Sequence, residues 1–396
     1  MALPAISPLP RVLRPRRAAP SDAVRPTRAE INLGNLRHNL HVLRRRAGLA
    51  QMFGVLKADA YGHGAPAVAR TLERAGIDGI CVALLEEGIE LREAGIKAPI
   101  LVMGGYYGDA WSEVLARKLT PVVYEPSQIE AIAREIRFFE APPLGVHLKV
   151  DTGMARLGVR ADRVEEMFNA FDAYPEVKLQ GLMTHFANAD TGDMAFTDEQ
   201  CALFDATVEL ARRRGHSPLV RHAANSAALL RGERYRYDLV RPGIALFGVE
   251  PSPGLCDGLR LAMRVRSEII ALRDVPEESP AGYGSTWRAP RPARIATIPM
   301  GYADGLNRSL SNVGRVLVHG RSCPIVGNVS MDLIQVDVTE VPGVTVRDEV
   351  VLLGAQQGPL GSDVITPEEI ARASGTIPWE VLTGISRRVP RFYREP

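Results

Sequence analysis

The chain reads as an α/β protein, a (β/α)8 barrel of the TIM type followed by a mostly β C-terminal domain. Two observations carry this. Short apolar runs alternate with amphipathic stretches from about residue 53 to residue 246, and eight β-then-α units over about 200 residues match a closed barrel. From about Ala262 the texture changes to short strand-like runs separated by Pro and Gly, the pattern of a β domain. A doubly wound open sheet shares the alternation, but no G-x-G-x-x-G follows the first strand.

Taken in order, Thr27–Leu33 alternates like a half-buried strand, and Asn35 onward turns helical, with Leu36, Leu40 and Leu43 on one face. Barrel strands are expected near Phe53–Lys57, Gly79–Leu84, Pro99–Gly104, Thr120–Tyr124, Leu144–Val150, Leu179–His185, Leu219–Ala223 and Leu239–Leu246. Glu86–Ala94, Ser127–Arg137, Asp162–Ala173 and Asp198–Arg214 are expected as intervening helices, and Ala65-Pro66 opens another with Pro in its first turn. Beyond the barrel, Val265–Leu272, Ala293–Pro299, Gly314–Val318, Ile334–Val338 and Glu349–Leu353 read as strands. The organisation expected is therefore a flexible tail over 1–26, a barrel over 27–262 and a β domain over 263–396.

Composition bounds the function. With 46% apolar and 24% charged residues the chain can build a sizeable core. Net charge is +2, and residues 1–28 hold six arginines against one aspartate. The remainder is thus slightly acidic, which argues against a dedicated nucleic-acid binder. Cys81, Cys201, Cys256 and Cys323 are far apart, so they give no metal-site spacing and fit a reducing compartment. No apolar run approaches a membrane span. Pro4, Pro8 and Pro10 interrupt the only stretch that could serve as a secretory signal. A cytoplasmic protein is expected, with neither membrane nor nucleic acid as partner.

The stretch Phe53-Gly-Val-Leu-Lys57-Ala-Asp-Ala-Tyr61-Gly-His-Gly64 puts a lysine at the carboxyl end of the first barrel strand. Apolar neighbours depress a lysine's pKa and make it a nucleophile. Alone, this stretch suits a snorkelling strand-end lysine better. Its companions reverse that reading. Lys149 to Arg156 end strand five, Thr184-His185 end strand six, His222-Ala-Ala-Asn225-Ser226 end strand seven, and Arg241-Pro-Gly243-Ile244 belong to strand eight. Ser226 and the amides near Gly243 suit a phosphate. A lysine opposite a phosphate site, with a histidine and an arginine between, is what pyridoxal phosphate needs.

With these residues in place, the sequence closely resembles the alanine racemases, from about Thr27 to Arg391. The motifs that carry the resemblance are Val55–Gly64, Lys149–Gly158, Gly181-Leu-Met-Thr-His185-Phe and His222–Ser226. The second half adds Gly282-Tyr283-Gly284, Gly301-Tyr302-Ala-Asp-Gly305, Ser330-Met331-Asp332 and Arg387-Arg-Val-Pro390. The resemblance implies a pyridoxal 5′-phosphate enzyme that interconverts L- and D-alanine by two bases and supplies D-alanine for peptidoglycan. It also implies that the strand at 27–33 joins the β domain, and that a homodimer shares its active sites across the interface.

Residue by residue, the resemblance makes Lys57 the covalent attachment point and one base, and Tyr283 the base on the opposite face. An ordinary tyrosine has a pKa near 10, so His185, expected against the cofactor ring and bonded to Tyr283, would assist it. Arg241 would face the pyridine nitrogen and, staying protonated, weaken the electron sink, with His222 orienting it. Tyr61, Asn225, Ser226 and the amides of Gly243 and Ile244 would hold the cofactor. Arg156 and the backbone N–H of Met331 would take the substrate carboxylate, and Tyr302 and Asp332 would support the site. Lys149 matches a lysine carbamylated in many members. One departure stands out: Trp379 occupies the place of a tyrosine that borders the substrate pocket and bonds the cofactor phosphate. Racemisation of serine or another small amino acid, and barrel-type amino-acid decarboxylation, are the alternative activities. Decarboxylases put a carboxylate where Arg241 stands, and pyridoxal-phosphate carriers of the single-domain barrel type lack a β domain.

Overall fold

The computed structural model describes residues 23–104, 110–217 and 219–395. They divide into two compact units. One comprises Leu36–Ala60 and Ala65–Arg260; the other holds the described residues up to Asn35, Tyr61–Gly64 and those from Leu261 onward. The tail expected over residues 1–26 lies outside the described residues as far as Asp22. Arg25, inside that stretch, forks onto the Asp304 carboxylate with bonds of 2.8 and 2.9 Å.

Strand β1 (Arg28–Asn32) belongs to the second unit. The first unit carries β2 (Gln51–Val55), β3 (Gly79–Val82), β4 (Ile100–Val102), β5 (Thr120–Val123), β6 (Leu144–Asp151), β7 (Val159–Arg160), β8 (Val177–Met183), β9 (Val220–His222) and β10 (Leu239–Val240). Their order is β10-β2-β3-β4-β5-β6-β8-β9, with β7 an outrigger on β6, and the pairings are parallel. The ring closes between β9 and β10, where Asp238 N–H donates to Arg221 O at 3.0 Å and Arg241 N–H to Ala224 O at 2.9 Å. These strands read as near-continuous apolar runs because both faces are covered, as in β3 and β4, which are buried throughout. The outer helices bury one stripe each, for example Ile129, Ile132, Ala133 and Ile136 in the helix Pro126–Phe138.

Among the boundaries that differ from the sequence reading, three bear on the strand ends. The strand expected to end in Lys57 stops at Val55. The strand expected over Leu239–Leu246 keeps only its first two residues, since Pro242 has no N–H to continue a ladder and a 3-10 turn over Ile244–Phe247 follows. The strand expected from Leu179 starts earlier, at Val177.

The second unit is mostly β, with β11 (Met263–Glu268), β12 (Ala271–Val275), β13 (Pro280–Ala281), β14 (Trp287–Arg288), β15 (Ala293–Ile298), β16 (Arg315–Val318), β17 (Arg321–Val326), β18 (Ile334–Asp337), β19 (Glu349–Gly358), β20 (Gly361–Ile365) and β21 (Arg391–Arg394). Its main sheet runs β12-β15-β18-β17-β16-β19-β11-β1-β21. β1 joins it antiparallel to β11 and parallel to β21. Period-2 alternation explains this seam: Met263, Val265 and Ser267 turn inward with Ala29 and Ile31. On the other face Glu30, 4% exposed, is held by Arg266, Arg264 and Arg394 at 2.7, 3.2 and 2.5 Å. A carboxylate so buried is tolerated only when paired.

Candidate active site

In the barrel unit, Lys57 follows β2 but does not extend it. Ala58, Asp59, Ala60 and Tyr61 all have φ between 51° and 58°, a left-handed turn built without glycine. Such a conformation costs roughly 1–2 kcal/mol per residue, so it needs anchors. Leu56 N–H donates to Cys81 O at 2.8 Å, and Ala60 N–H to Leu56 O at 2.8 Å. Ala58 N–H donates to Glu87 Oε1 at 2.6 Å, and Ala65 N–H to Asp59 Oδ1 at 2.8 Å.

Around Lys57 gathers an unusual concentration of positive charge. Burial lowers the Lys57 pKa, and Arg156 lowers it further, while Glu87 pulls it back up. Lys149 is pushed down to about 8 by burial, then by Arg156, Arg241 and Lys57, against Asp151. His185 is held well below the usual histidine range by burial and by Arg241, Arg156, Lys149 and Lys57, so it is neutral. These five groups therefore share one site.

Arg241 is 2% exposed. Its guanidinium donates to the Thr184 and Ala223 carbonyls at 2.9 and 3.0 Å and to His222 Nδ1 at 2.7 Å, and lies 3.4 Å from His185 Nδ1. His222 in turn meets His147 at 2.7 Å, Nε2 to Nδ1. Burial, then Arg241, depresses the pKa of both rings, that of His147 to about 4. Two neutral imidazoles next to a permanent donor settle the tautomers: Arg241 donates to His222 Nδ1, and His222 Nε2–H donates to His147 Nδ1. Burial brings Arg241 down to about 10, which still leaves it cationic at neutral pH. His147 was missed in the sequence; its signal was the period-2 spacing from Lys149, which puts both on one face of β6.

Ser226 Oγ accepts N–H bonds from Gly243 at 2.9 Å and Ala245 at 3.4 Å. The Gly243 amide, expected to face a ligand, is thus given to the serine. With its lone pairs so engaged, the Ser226 hydroxyl is free to donate its own proton. Asn225 caps the following helix through Ala228 N–H at 3.0 Å.

The remaining sequence-predicted residues belong to the second unit. Gly301 N–H donates to the buried Asp304 carboxylate at 3.1 Å, Tyr302 N–H to Ser330 O and Ala303 N–H to Met331 O, both at 3.0 Å. These bonds lace the Gly301–Gly305 and Ser330–Asp332 loops together. A Cβ at Gly301 would lie 2.4 Å from Met331 O, so only glycine permits the approach. Arg388 bonds Asp332 at 2.7 Å. Tyr302 and Met331 remain about half exposed, and Tyr283 is 76% exposed between Gly282 and Gly284, both at positive φ. Asn328 Nδ2 fixes the Tyr283 carbonyl at 2.7 Å. Trp379 stands half-buried in the helix Pro378–Gly384, and Gly62 O accepts from Arg391 at 2.9 Å.

A closed parallel barrel with a lysine, a buried arginine and a serine-lined turn at its strand ends, in a chain that also carries a mostly β unit, defines the barrel-plus-β class of protein. The alanine racemase N-terminal domain model matches residues 31–251 and the C-terminal domain model residues 262–393. An alanine racemase of Sorangium cellulosum is 59% identical, covering 94% of this chain and 100% of that protein. The alanine racemase structure from Streptomyces lavendulae superposes with a TM-score of 0.89 at 34% identity, covering 94% and 98% of the two chains. That of Bartonella henselae, with covalently bound pyridoxal phosphate, gives 0.82 at 29% identity over 93% and 99%. The chain belongs to the alanine racemase family, and it is an isomerase that interconverts the enantiomers of alanine. No helix among the described residues is long and apolar enough to cross a membrane.

Proposed function

We propose that the enzyme works with pyridoxal 5′-phosphate held at Lys57, moving the alanine Cα proton between Lys57 on one face and Tyr283 on the other. The observation that carries this is the cationic cluster of Lys57, Lys149, Arg156 and Arg241 in one site. Arg241 has only neutral acceptors in His222 and two carbonyls, and positive charge outweighs Glu87 and Asp151 around Lys57 and Lys149, so an anionic group such as one bearing a phosphate suits the site. When bound, pyridoxal phosphate supplies the electron sink that makes a Cα–H bond acidic. The Bartonella henselae relative, which carries it covalently, supports the assignment.

The roles of the chain's own residues are those the family resemblance implies, and the surroundings of several support them. Lys57 Nζ, made less basic by burial and Arg156, reaches its neutral form more readily and so can attack a carbonyl carbon or accept a proton. Tyr283 Oη delivers or removes the proton on the opposite face. Ser226 O–H and the Ile244 amide hold the phosphate, and the family resemblance assigns Tyr61, Asn225 and Trp379 to cofactor binding as well. Arg241 would give a hydrogen bond to the ring nitrogen and keep its own proton, because the neutral His222–His147 pair behind it offers only an acceptor. A donor that keeps its proton there would limit the sink the group supplies and favour proton exchange at Cα over transamination. Arg156 and the Met331 N–H take the substrate carboxylate, and Asp332 and Tyr302 hold that loop. Lys149, with a pKa of about 8, has enough free amine near neutrality to add carbon dioxide. The resulting carbamate would be an anion able to orient Arg156.

The same reading makes the protein a cytoplasmic homodimer supplying D-alanine for peptidoglycan; its four cysteines stand free and buried, in keeping with a reducing compartment. Chiral analysis of products from a panel of L-amino acids tests the substrate. Alanine is expected to racemise fastest, and a decarboxylated product from any of them would redirect the assignment to decarboxylases.

Trp379 bears on selectivity. Indole is bulkier than phenol and offers an N–H donor with no acceptor, so it crowds substituents beyond a methyl. Trp379→Tyr is expected to raise kcat/KM for serine relative to alanine by about tenfold, the scale of a small pocket change, and to alter cofactor dissociation. An unchanged ratio with unchanged cofactor affinity would reduce Trp379 to packing.

A further inference from the structure

We propose that Glu87 is a positioning residue for the chemistry at Lys57, its carboxylate clamping the left-handed lysine turn to the end of the adjoining strand. The proposal rests on Lys57 being the amine that carries the cofactor. Glu87 is the third residue of the helix Leu85–Glu93. Its Oε2 accepts the N–H groups of Ala83 and Leu84 at 2.8 and 3.1 Å, just beyond β3, and its Oε1 accepts Ala58 N–H at 2.6 Å. One side chain thus ties three backbone donors from two neighbouring strand ends, and the third belongs to the residue next to Lys57.

A helix cap alone does not require this. Two barrel units further on, Gln128 holds the same third position in the helix Pro126–Phe138, and its Oε1 accepts Tyr124 and Glu125 N–H at 2.8 and 3.1 Å. An amide is sufficient there because one oxygen does the capping. At Glu87 both oxygens accept, which an amide cannot reproduce, since its second terminus is a donor facing another donor. The carboxylate is needed only because of Ala58. It also sets a negative charge beside Lys57, opposing the effect of Arg156 on the same amine. The left-handed run Ala58–Tyr61 contains no glycine, so its shape depends on such tertiary anchors rather than on local preference.

Glu87→Gln separates the two roles, because the amide oxygen can still cap while the contact to Ala58 is lost. The full-length protein freed of cofactor is labelled with trinitrobenzenesulfonate across a pH series, and modification of the Lys57 peptide is quantified by mass spectrometry. Cofactor release from the loaded protein is followed through its visible absorbance and circular dichroism. In Glu87→Gln the Lys57 labelling midpoint is expected to fall below wild type, because the anion favouring the ammonium is gone. The cofactor should bind about tenfold more weakly with altered dichroism, while melting stays close to wild type. Gln128→Ala should change melting and leave the Lys57 profile as it is. A Glu87→Gln protein with wild-type midpoint, cofactor affinity and dichroism overturns the clamp and leaves only a cap. Should Lys57→Ala keep the cofactor's visible band, the underlying assignment of Lys57 fails instead, which is a separate outcome.

Discussion

Replacing Lys57 by alanine is expected to remove the visible absorbance of the attached cofactor and to cut racemisation by at least about a thousandfold. The magnitude follows from losing two functions in one group. A positioned proton-transfer residue alone contributes typically about 10²–10⁴ in rate, and covalent attachment is lost with it. Arginine in its place keeps the charge but offers neither a nucleophile nor an accessible neutral form, so Lys57→Arg should be nearly as inactive. Folding should survive both changes: Lys57 lies partly exposed outside a strand, and the turn is held by backbone donors to Glu87 and Asp59 that the substitutions leave in place. Far-ultraviolet dichroism, the visible spectrum and the racemisation rate are measured on the same preparation. A folded Lys57→Ala enzyme with cofactor band and activity intact would place the chemistry on another amine, of which Lys149 is the obvious one.

What could be read from the chain beforehand was whatever depends on pattern along a single element. Barrel strands such as Gly79–Val82 and Ile100–Val102 announce themselves because burial on both faces demands an unbroken apolar run. The conjunction of Lys57, His185, His222 and Arg241 was legible because a parallel barrel brings every strand's carboxyl end to one rim. What escaped depends on partners distant in sequence. Ala58-Asp59-Ala60 contains no glycine and only Asp59 among residues that visit positive φ with any frequency, and its left-handed shape is anchored by bonds to Glu87 and Ala65. The strand Arg321–Val326 was hidden by Pro324, which has no ladder donor. Gly361–Ile365 is polar and pairs with β19 alone, so it shows no apolar alternation. The single run expected over Val265–Leu272 is two strands, because the chain breaks at Ile269-Ile270 and the second half pairs elsewhere, with β15.

The largest effect should come from mixing two dead enzymes. Lys57 and Tyr283 belong to different compact units of the chain, and Tyr283 is 76% exposed, an unusual state for an aromatic ring with a role in proton transfer. A proposed homodimer resolves this if each site takes its lysine from one subunit and its tyrosine from the partner. Subunits carrying Lys57→Ala and subunits carrying Tyr283→Ala should each be inactive as homodimers. After exchange, each hybrid contains one site with both defects and one with none. Random assortment of equal amounts makes about half of the dimers hybrid in a two-fold assembly, so activity should recover to about a quarter of wild type. Differently tagged subunits, purified over both tags in sequence, isolate the hybrids and should raise this to about half. The recovery is qualitative, from background to a readily measured rate, and it does not depend on either residue's share of the barrier. Doubly tagged hybrids that stay at background would put both bases in the same chain and refute the shared site, whatever the strength of the dimer.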